Sequence, residues 1–217
     1  MPKRAIVFID GNNFYHCVKR FGIQPNQIDY LKLSEFVCSK FNLNRQKTIY
    51  YNSIPDIRDG AEKYYKHLSF LSEIENLPKF EVKKRKLQKQ SNKEALEEKE
   101  QIITELNLCN KCKPKVKENC LNCVGNINKK EKGIDVWLAV DMIDKCLKGE
   151  YDFAVLIAGD ADFIPALNLI KENGKQIKSA FIRIGYSSNI RKTFPNDFLY
   201  LEEEELIKNC LKTSKFK

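Results

Sequence analysis

The chain has 217 residues, of which 42% are hydrophobic and 31% are charged, and this suits either one large α/β domain or one domain with a small insert. Lysine and arginine outnumber aspartate and glutamate by 38 to 29, a net charge of +9 that fits a nucleic-acid partner but does not bear on fold. No apolar run approaches the roughly 20 residues that cross a bilayer, and the first run ends at Asp10, too early for a signal peptide. We therefore expect a cytoplasmic protein with no membrane partner.

The first part of the chain alternates strand and helix patterns. Residues 4–9 form a continuous apolar run, which is typical of a parallel strand buried on both faces. The helices are predicted from apolar residues that recur three and four positions apart. In chain order the predicted elements are strand 4–9, helix 14–18, helix 31–41, strand 48–51, a long helix from Gly60 to about Leu71, and strand 80–86.

From about residue 88 to residue 130 the composition changes. Apolar content falls, lysine and glutamate dominate, and a helix is predicted over residues 94–106. Because the α/β pattern resumes after Gly133, we interpret 88–130 as an insert in a discontinuous domain formed by 1–87 and 131–217. The insert contains no Phe, Tyr or Trp for base stacking, so its lysines are expected to grip phosphates, to brace the insert or to bind a protein.

The insert carries two Cys-x2-Cys pairs, Cys109 with Cys112 and Cys120 with Cys123. Four thiolates at this spacing predict a structural Zn²⁺ site, because zinc prefers four tetrahedral ligands. Free thiols, a redox pair or an iron–sulfur cluster are the alternatives. The other four cysteines lie in apolar helical patterns and are expected to be small core residues: Cys17, Cys38, Cys146 and Cys210.

The last part of the chain returns to alternating elements. They are predicted as helix 136–147 ended by Gly149, strand 153–158, helix 163–172, strand 179–183, strand 198–201 and helix 203–211. Strands that alternate with helices indicate a Rossmann-like, mostly parallel sheet flanked by helices.

Four aspartates occupy strand ends or helix starts. Asp10 closes the first strand, Asp160 and Asp162 follow strand 153–158, and Asp135 begins the helix after Gly133. Open α/β sheets carry their chemistry beyond the carboxyl ends of the strands, and carboxylates gathered there repel one another unless a divalent cation offsets the charge. The alternative is a purely structural role, in which each aspartate only caps the helix that follows it.

Several segments together resemble the NYN family of PIN-like nucleases. They are Phe8-Ile9-Asp10-Gly11-Asn12-Asn13, Lys132-Gly133-Ile134-Asp135-Val136, Ala158-Gly159-Asp160-Ala161-Asp162-Phe163 and the closing Asn196-Asp197-Phe198-Leu199-Tyr200-Leu201. The resemblance covers roughly residues 4–87 and 131–205. It implies a Rossmann-like sheet and cleavage of RNA with Mg²⁺ or Mn²⁺. It also implies that Asp10, Asp135, Asp160 and Asp162 surround the metal and that Asn13 is a polar helper.

Other polar residues are assigned from their positions. Asn12 and Lys132 are expected to contact substrate phosphate, whereas Asp141 and Asp144 point away from Asp135 on the same helix and are expected to be structural. The two histidines, His16 and His67, have no evident partner, so a Ser–His or Cys–His mechanism is unsupported.

The function most consistent with these features is a metal-dependent ribonuclease, expected to be an endoribonuclease, with RNA as partner. A catalytically silent RNA- or protein-binding module with the same fold is the first alternative. A phosphohydrolase of another doubly wound type is disfavoured because this chain lacks the partner motif that such enzymes usually carry. A Rossmann dehydrogenase is disfavoured because no Gly-x-Gly-x-x-Gly follows the first strand. Oligomeric state is left open.

Overall fold

A computed structural model describes residues 3–57, 60–86, 88–89, 92–122, 129–130, 133–184 and 186–212; of 88–89, 92–95, 120–122 and 129–130 it describes the backbone alone. The chain divides into two compact units. The large unit comprises residues 1–85 and 133–217, and the small unit comprises residues 86–132. The sequence analysis places the boundaries of the insert at residues 88 and 130.

The large unit is built on a six-stranded sheet in the order β3-β2-β1-β6-β7-β8. Its strands are β1 (Arg4–Asp10), β2 (Asn44–Ile54), β3 (Phe80–Lys86), β6 (Phe153–Ile157), β7 (Gln176–Phe181) and β8 (Phe198–Tyr200). Every neighbouring pair from β2 to β8 is parallel. The predicted fold class, a mostly parallel α/β sheet flanked by helices, is confirmed.

Helices cover both faces of this sheet. They are α1 (Gly11–Val18), α2 (Tyr30–Lys40), α3 (Ala61–Glu75), α6 (Ile134–Leu147), α7 (Ile164–Glu172), α8 (Ser188–Thr193) and α9 (Glu203–Cys210), with short 3-10 helices at Lys19–Phe21, Pro25–Gln27 and Ala161–Phe163. The sequence analysis missed α8 and the 3-10 helices, because segments of three to six residues are too short to show helical periodicity.

Strand β1 separates two apolar cores. Val7 and Ile9 belong to the core under α1, α2, α3 and α9, whereas Ile6 and Phe8 belong to the core under α6, α7 and α8. The alternation follows from the two-residue period of a strand, which sends successive side chains to opposite faces. All four cysteines expected in the core are buried: Cys17, Cys38, Cys146 and Cys210.

The small unit contains two helices and a short antiparallel pair of strands. The strands are β4 (Gln88–Lys89) and β5 (Lys129–Lys130), and the helices are α4 (Asn92–Glu105) and α5 (Cys112–Asn122). Helix α4 was predicted, but α5 was not, because it carries few apolar residues and a proline at its third position. The two helices pack together, and Lys117 Nζ lies 3.2 Å from Glu100 Oε1. Within the described ranges, no helix of either unit is long and apolar enough to cross a bilayer.

Candidate active site

The candidate site lies where the direction of strand succession reverses. From β1 the chain proceeds through β2 to β3 at one edge, and it then returns to β6 on the other side of β1. Ile9 of β1 pairs with Ile157 of β6, so the carboxyl ends of these two strands lie side by side. Such a reversal point is where doubly wound sheets bind ligands.

Asp10 is the last residue of β1 and the N-cap of α1. Only 3% of its surface is exposed. Its Oδ1 accepts hydrogen bonds from the backbone N–H groups of Asn12 at 3.1 Å and Asn13 at 2.9 Å. The positive end of the helix dipole and these two donors stabilise a carboxylate at this position.

Gly11 is required because there is no room for a side chain, and not because its backbone has an unusual conformation. It is the first residue of α1 and its φ angle is not positive. A Cβ atom at this position would lie 2.6 Å from Tyr50 Oη and 2.7 Å from Asn52 Nδ2. Residues of β2 therefore approach the backbone at the start of α1 so closely that only glycine fits.

Asn13 connects the two strand ends. Its Oδ1 accepts the backbone N–H of Gly159 at 3.2 Å, and the Cys17 thiol lies 4.0 Å from the same oxygen. This side chain thus holds the loop after β6 against the first turn of α1. The sequence placed Asn13 near the site, but this bridging contact joins residues 146 positions apart and is visible only in three dimensions.

Tyr186 flanks the loop after β6, and sequence reasoning missed it. A Cβ atom on Gly159 would lie 2.9 Å from Tyr186 Cα, and the Gly159 carbonyl accepts the Ser187 N–H at 2.7 Å. The Tyr186 ring stacks on Phe181 with centroids 4.8 Å apart, and its hydroxyl lies 3.0 Å from that of Tyr200. The only sequence signal was the proximity of an aromatic residue to the end of a strand.

Asp135, Asp160 and Asp162 influence one another electrostatically. Asp160 caps the 3-10 helix Ala161–Phe163 by accepting the Asp162 N–H at 3.0 Å. Helix α6, which carries Asp135 in its first turn, packs against that 3-10 helix. The pKa of Asp135 is raised, first by desolvation of its carboxyl group and then by the negative charges of Asp160 and Asp162. Among described residues none of these three carboxylates forms an ion pair within 4.0 Å.

The donor atoms suit a hard cation that keeps part of its water shell, and not an ion enclosed entirely by protein ligands. The candidate ligands are carboxylate oxygens, which Mg²⁺ prefers, and Mg²⁺ binds through one or two carboxylates while it keeps several waters. In the part of the chain that the structure describes, no three His, Cys, Asp or Glu side chains form a metal-binding group. The acids therefore fit a partly hydrated ion, and coordination by all four together remains a prediction. Lys132 lies outside the described residues.

Two acids on α6 have structural contacts. Asp141 Oδ2 accepts the Tyr51 hydroxyl at 2.8 Å and lies 3.8 Å from Lys83 Nζ. Asp144 pairs with Lys148 one helical turn later at 2.7 Å. Both carboxylates therefore have partners other than the four candidate acids.

His67 has a partner, contrary to the sequence-based expectation. Its Nε2 lies 3.0 Å from Asn52 Oδ1, an interaction between α3 and β2. Burial is the main reason that the pKa of His67 is lowered. His16 is exposed and packs edge-on against Tyr15.

The cysteine pair at the start of α5 lies in a hydrogen-bonded turn. The Cys109 carbonyl accepts the N–H groups of Cys112 and Lys113 at 3.0 Å. Hydrogen bonds from the Cys112 thiol and from the backbone N–H groups of Cys112 and Lys111 lower the pKa of Cys109. The Cys120 side chain and Cys123 lie outside the described part of the chain, so half of the predicted four-thiolate site is described.

Comparison with known proteins adds one family match. The NYN domain family model matches residues 4–202, a span that includes both units. Among the curated proteins, no sequence matches the chain.

Proposed function

The chain belongs to the NYN domain family, and we propose that it is a Mg²⁺- or Mn²⁺-dependent endoribonuclease that cleaves RNA phosphodiester bonds at the carboxyl ends of β1 and β6. NYN domains are generally metal-dependent, ribonuclease-like domains. The proposal includes RNA as substrate and a cytoplasmic location.

One observation carries the proposal. Asp10 and Asp160 follow adjacent parallel strands at the reversal point of the sheet, and the pKa of Asp135 is raised, first by desolvation and then by the negative charges of Asp160 and Asp162. Repulsion of this kind is costly unless a cation offsets it. A purely structural set of helix caps would not require a third carboxylate in the electrostatic field of two others.

Each residue of the site has a proposed role. Asp10 and Asp160 hold the ion, and Asp135 and Asp162 complete the acidic set. Asn13 holds the loop after β6 against the first turn of α1 through its hydrogen bond with Gly159. Asn12 and Lys132 contact the phosphate. When bound, the divalent ion would supply activation of the attacking water and charge neutralisation on the phosphate.

The decisive test compares Asp160→Asn with the unchanged protein on single-stranded RNA, with and without Mn²⁺. Asparagine can still accept the Asp162 N–H and cap the 3-10 helix, so we expect a folded protein with cleavage at background. Asp29→Asn is the control, because Asp29 also caps a helix through backbone hydrogen bonds, from Leu31 and Lys32, and is not one of the candidate metal ligands. Full activity in Asp160→Asn removes that residue from the site.

A circular RNA substrate tests the mode of cleavage. An endonuclease opens the circle, whereas an exonuclease requires a free end and leaves it intact. The same circle made of DNA tests the choice of sugar, and cleavage of DNA alone contradicts the RNA assignment.

A second candidate is a catalytically silent RNA- or protein-binding module. It is favoured by the fact that Asp10 and Asp160 each accept backbone hydrogen bonds as helix caps, a role that needs no metal. RNA binding without cleavage in either Mg²⁺ or Mn²⁺ supports this alternative.

For the small unit we propose one structural Zn²⁺ held by Cys109, Cys112, Cys120 and Cys123. The lowered pKa of Cys109 supports it, because zinc binds the thiolate form. Metal analysis should find about one zinc per chain by this ligand count. We expect Cys112→Ser to lose that zinc and Cys17→Ala, at a buried core thiol, to retain it. Zinc retained by Cys112→Ser contradicts the site.

A further inference from the structure

A cavity of about 530 Å³ opens between α1, the 3-10 helix Pro25–Gln27 and α3. Its lining residues all belong to the large unit. Asn52, in its wall, follows Tyr51, the residue that pairs with Asp10 across β1 and β2. Asn52 Nδ2 is also one of the atoms that leave no room for a Cβ at Gly11. The cavity therefore shares a wall with the Asp10–Gly11 turn.

The inner wall of the cavity is a fixed polar pair. Asn52 is only 6% exposed. It contacts His67 Nε2 through Oδ1 at 3.0 Å and donates through Nδ2 to the Tyr50 hydroxyl at 3.4 Å. Because β2 and α3 both contribute, the position of these polar groups is determined by the packing of the domain. Phe70 and Pro25 add apolar surface beside them.

The mouth of the cavity combines an aromatic ring with positive charge. The Tyr15 ring is 38% exposed and lies on α1 one turn after Gly11. Lys63 and Lys66 project from α3 into the lining. Lys66 pairs with Glu62 in a largely exposed ion pair at 2.7 Å, which is a weak type of interaction. Within the described residues Lys63 forms no ion pair.

We infer that this cavity binds one unpaired nucleotide of the RNA chain, next to the phosphate that is cleaved. The base stacks against Tyr15 with its polar edge toward the Asn52–His67 pair, and the phosphate lies between Lys63 and Lys66. The volume falls within the range of small-ligand sites. A base can enter only after leaving a helical stack, so the site selects single-stranded RNA.

This inference rests on the proposed function, since it takes RNA as the substrate, but its test uses binding without cleavage. The protein is titrated into a fluorescent single-stranded RNA hexamer in buffer that contains neither Mg²⁺ nor Mn²⁺, and anisotropy is measured. Tyr15→Leu should weaken binding about ten-fold, within the range for loss of one stacked base. The matched control is Tyr65→Leu, because Tyr65 is 60% exposed on α3 and does not line the cavity.

The charge contribution is tested in the same assay. Lys63→Gln combined with Lys66→Gln should lower the log–log salt slope by about 0.7, the contribution of the one single-strand phosphate that lies between the two lysines. The control combines Lys3→Gln with Lys79→Gln, which remove the same charge at exposed positions directly before β1 and β3 that do not line the cavity. Lys63 and Lys66 are exposed, and surface substitutions of this kind change stability little, so the test stands even if Tyr15→Leu does not fold.

The outcomes separate the cavity from the nuclease. Equal binding by Tyr15→Leu and Tyr65→Leu, with an unchanged salt slope in the lysine variant, overturns the inference whether or not the protein cleaves RNA. Weakened binding in both cavity variants supports it, even if no cleavage occurs with Mg²⁺ or Mn²⁺ and the proposed function fails. If Tyr15→Leu changes affinity for uridine 5′-monophosphate but not for the hexamer, the cavity is a free-nucleotide site and the inference is wrong.

Discussion

At the residue scale, the acids of the candidate site have two roles that substitution can separate. Asp10 and Asp160 cap the segments that follow them with one carboxylate oxygen. Asparagine keeps such an acceptor and removes the charge, whereas alanine removes both. Loss of fold and loss of chemistry can therefore be measured independently at the same position.

For Asp10, we expect Asp10→Asn to fold with nearly unchanged stability and to lose cleavage. Asp10→Ala should lose about 1 to 2 kcal/mol of unfolding free energy, because the N–H groups of Asn12 and Asn13 lose their acceptor. Urea denaturation of the two variants measures the difference. Equal stability of both would mean that the cap contributes nothing.

Gly11→Ala should destabilise the protein by about 1 to 3 kcal/mol through overpacking. The added methyl group meets the Tyr50 hydroxyl and the Asn52 amide. A double-mutant cycle with Tyr50→Leu tests the cause, because a smaller residue 50 should reduce the penalty of alanine at position 11. An unreduced penalty would assign it to the backbone instead of the Tyr50 ring.

His67 should make stability depend on pH. Its pKa is lowered in the folded protein, chiefly by burial, so the unfolded chain binds a proton more readily. Stability is then full above the unfolded pKa of about 6.5 and falls as pH drops through and below that value. Chemical denaturation at pH 7.5 and 5.5 should show a larger loss for the unchanged protein than for His67→Gln. Identical losses would mean that His67 does not titrate between these pH values.

At the element scale, the small unit presents lysines on and beside a helix that sequence patterns did not predict. Lys111 precedes α5, and Lys113 and Lys115 lie within it, all exposed. Lys117 instead pairs with Glu100 of α4 and helps to hold the two helices together. The first three can therefore be changed without removing that ion pair.

Reversal of Lys111, Lys113 and Lys115 to glutamate should weaken RNA binding and lower its salt slope by up to about 2. The rate of cleavage at saturating RNA should change little, because the acids at the strand ends are untouched. Lys3, Lys79 and Lys208, which are exposed and lie outside the small unit, provide a control with equal charge change. An unchanged slope in the α5 variant would identify the small unit as a brace or a protein-docking element.

At the scale of the whole molecule, the large unit has its own cores on both faces of the sheet. Arg85 and Gly133 flank the small unit, and just inside it Gln88 pairs with Lys130 in an antiparallel ladder, so the chain leaves and re-enters the large unit along adjacent segments. A short connection can therefore replace the residues between them.

We expect replacement of residues 88–130 by a short Gly-Ser linker to leave the large unit folded, because loop length has a small effect on closure free energy. Thermal unfolding by circular dichroism should remain one cooperative transition. Cleavage, if the proposed function is correct, should persist with weaker RNA binding. A protein without a cooperative transition would show that the large unit depends on the small one.

The sequence by itself determined the fold class and the strand-end positions of Asp10 and Asp160. Both follow from local patterns: a buried parallel strand is a continuous apolar run, and the residue that ends the run lies at the carboxyl end of the strand. The four core cysteines were equally readable from helical spacing. Helix α5 was not, because its polar sequence carries no apolar stripe.

Only the tertiary structure decided which residues meet beyond the carboxyl ends of these strands. The requirement for Gly11, the contact of Asn13 with Gly159, and the Asn52–His67 pair each depend on distant segments that approach one another. Strand order and register determine those approaches, and they result from the packing of both cores together. Periodicity along the chain indicates which face of an element is buried, but it does not identify the residues against which that face packs.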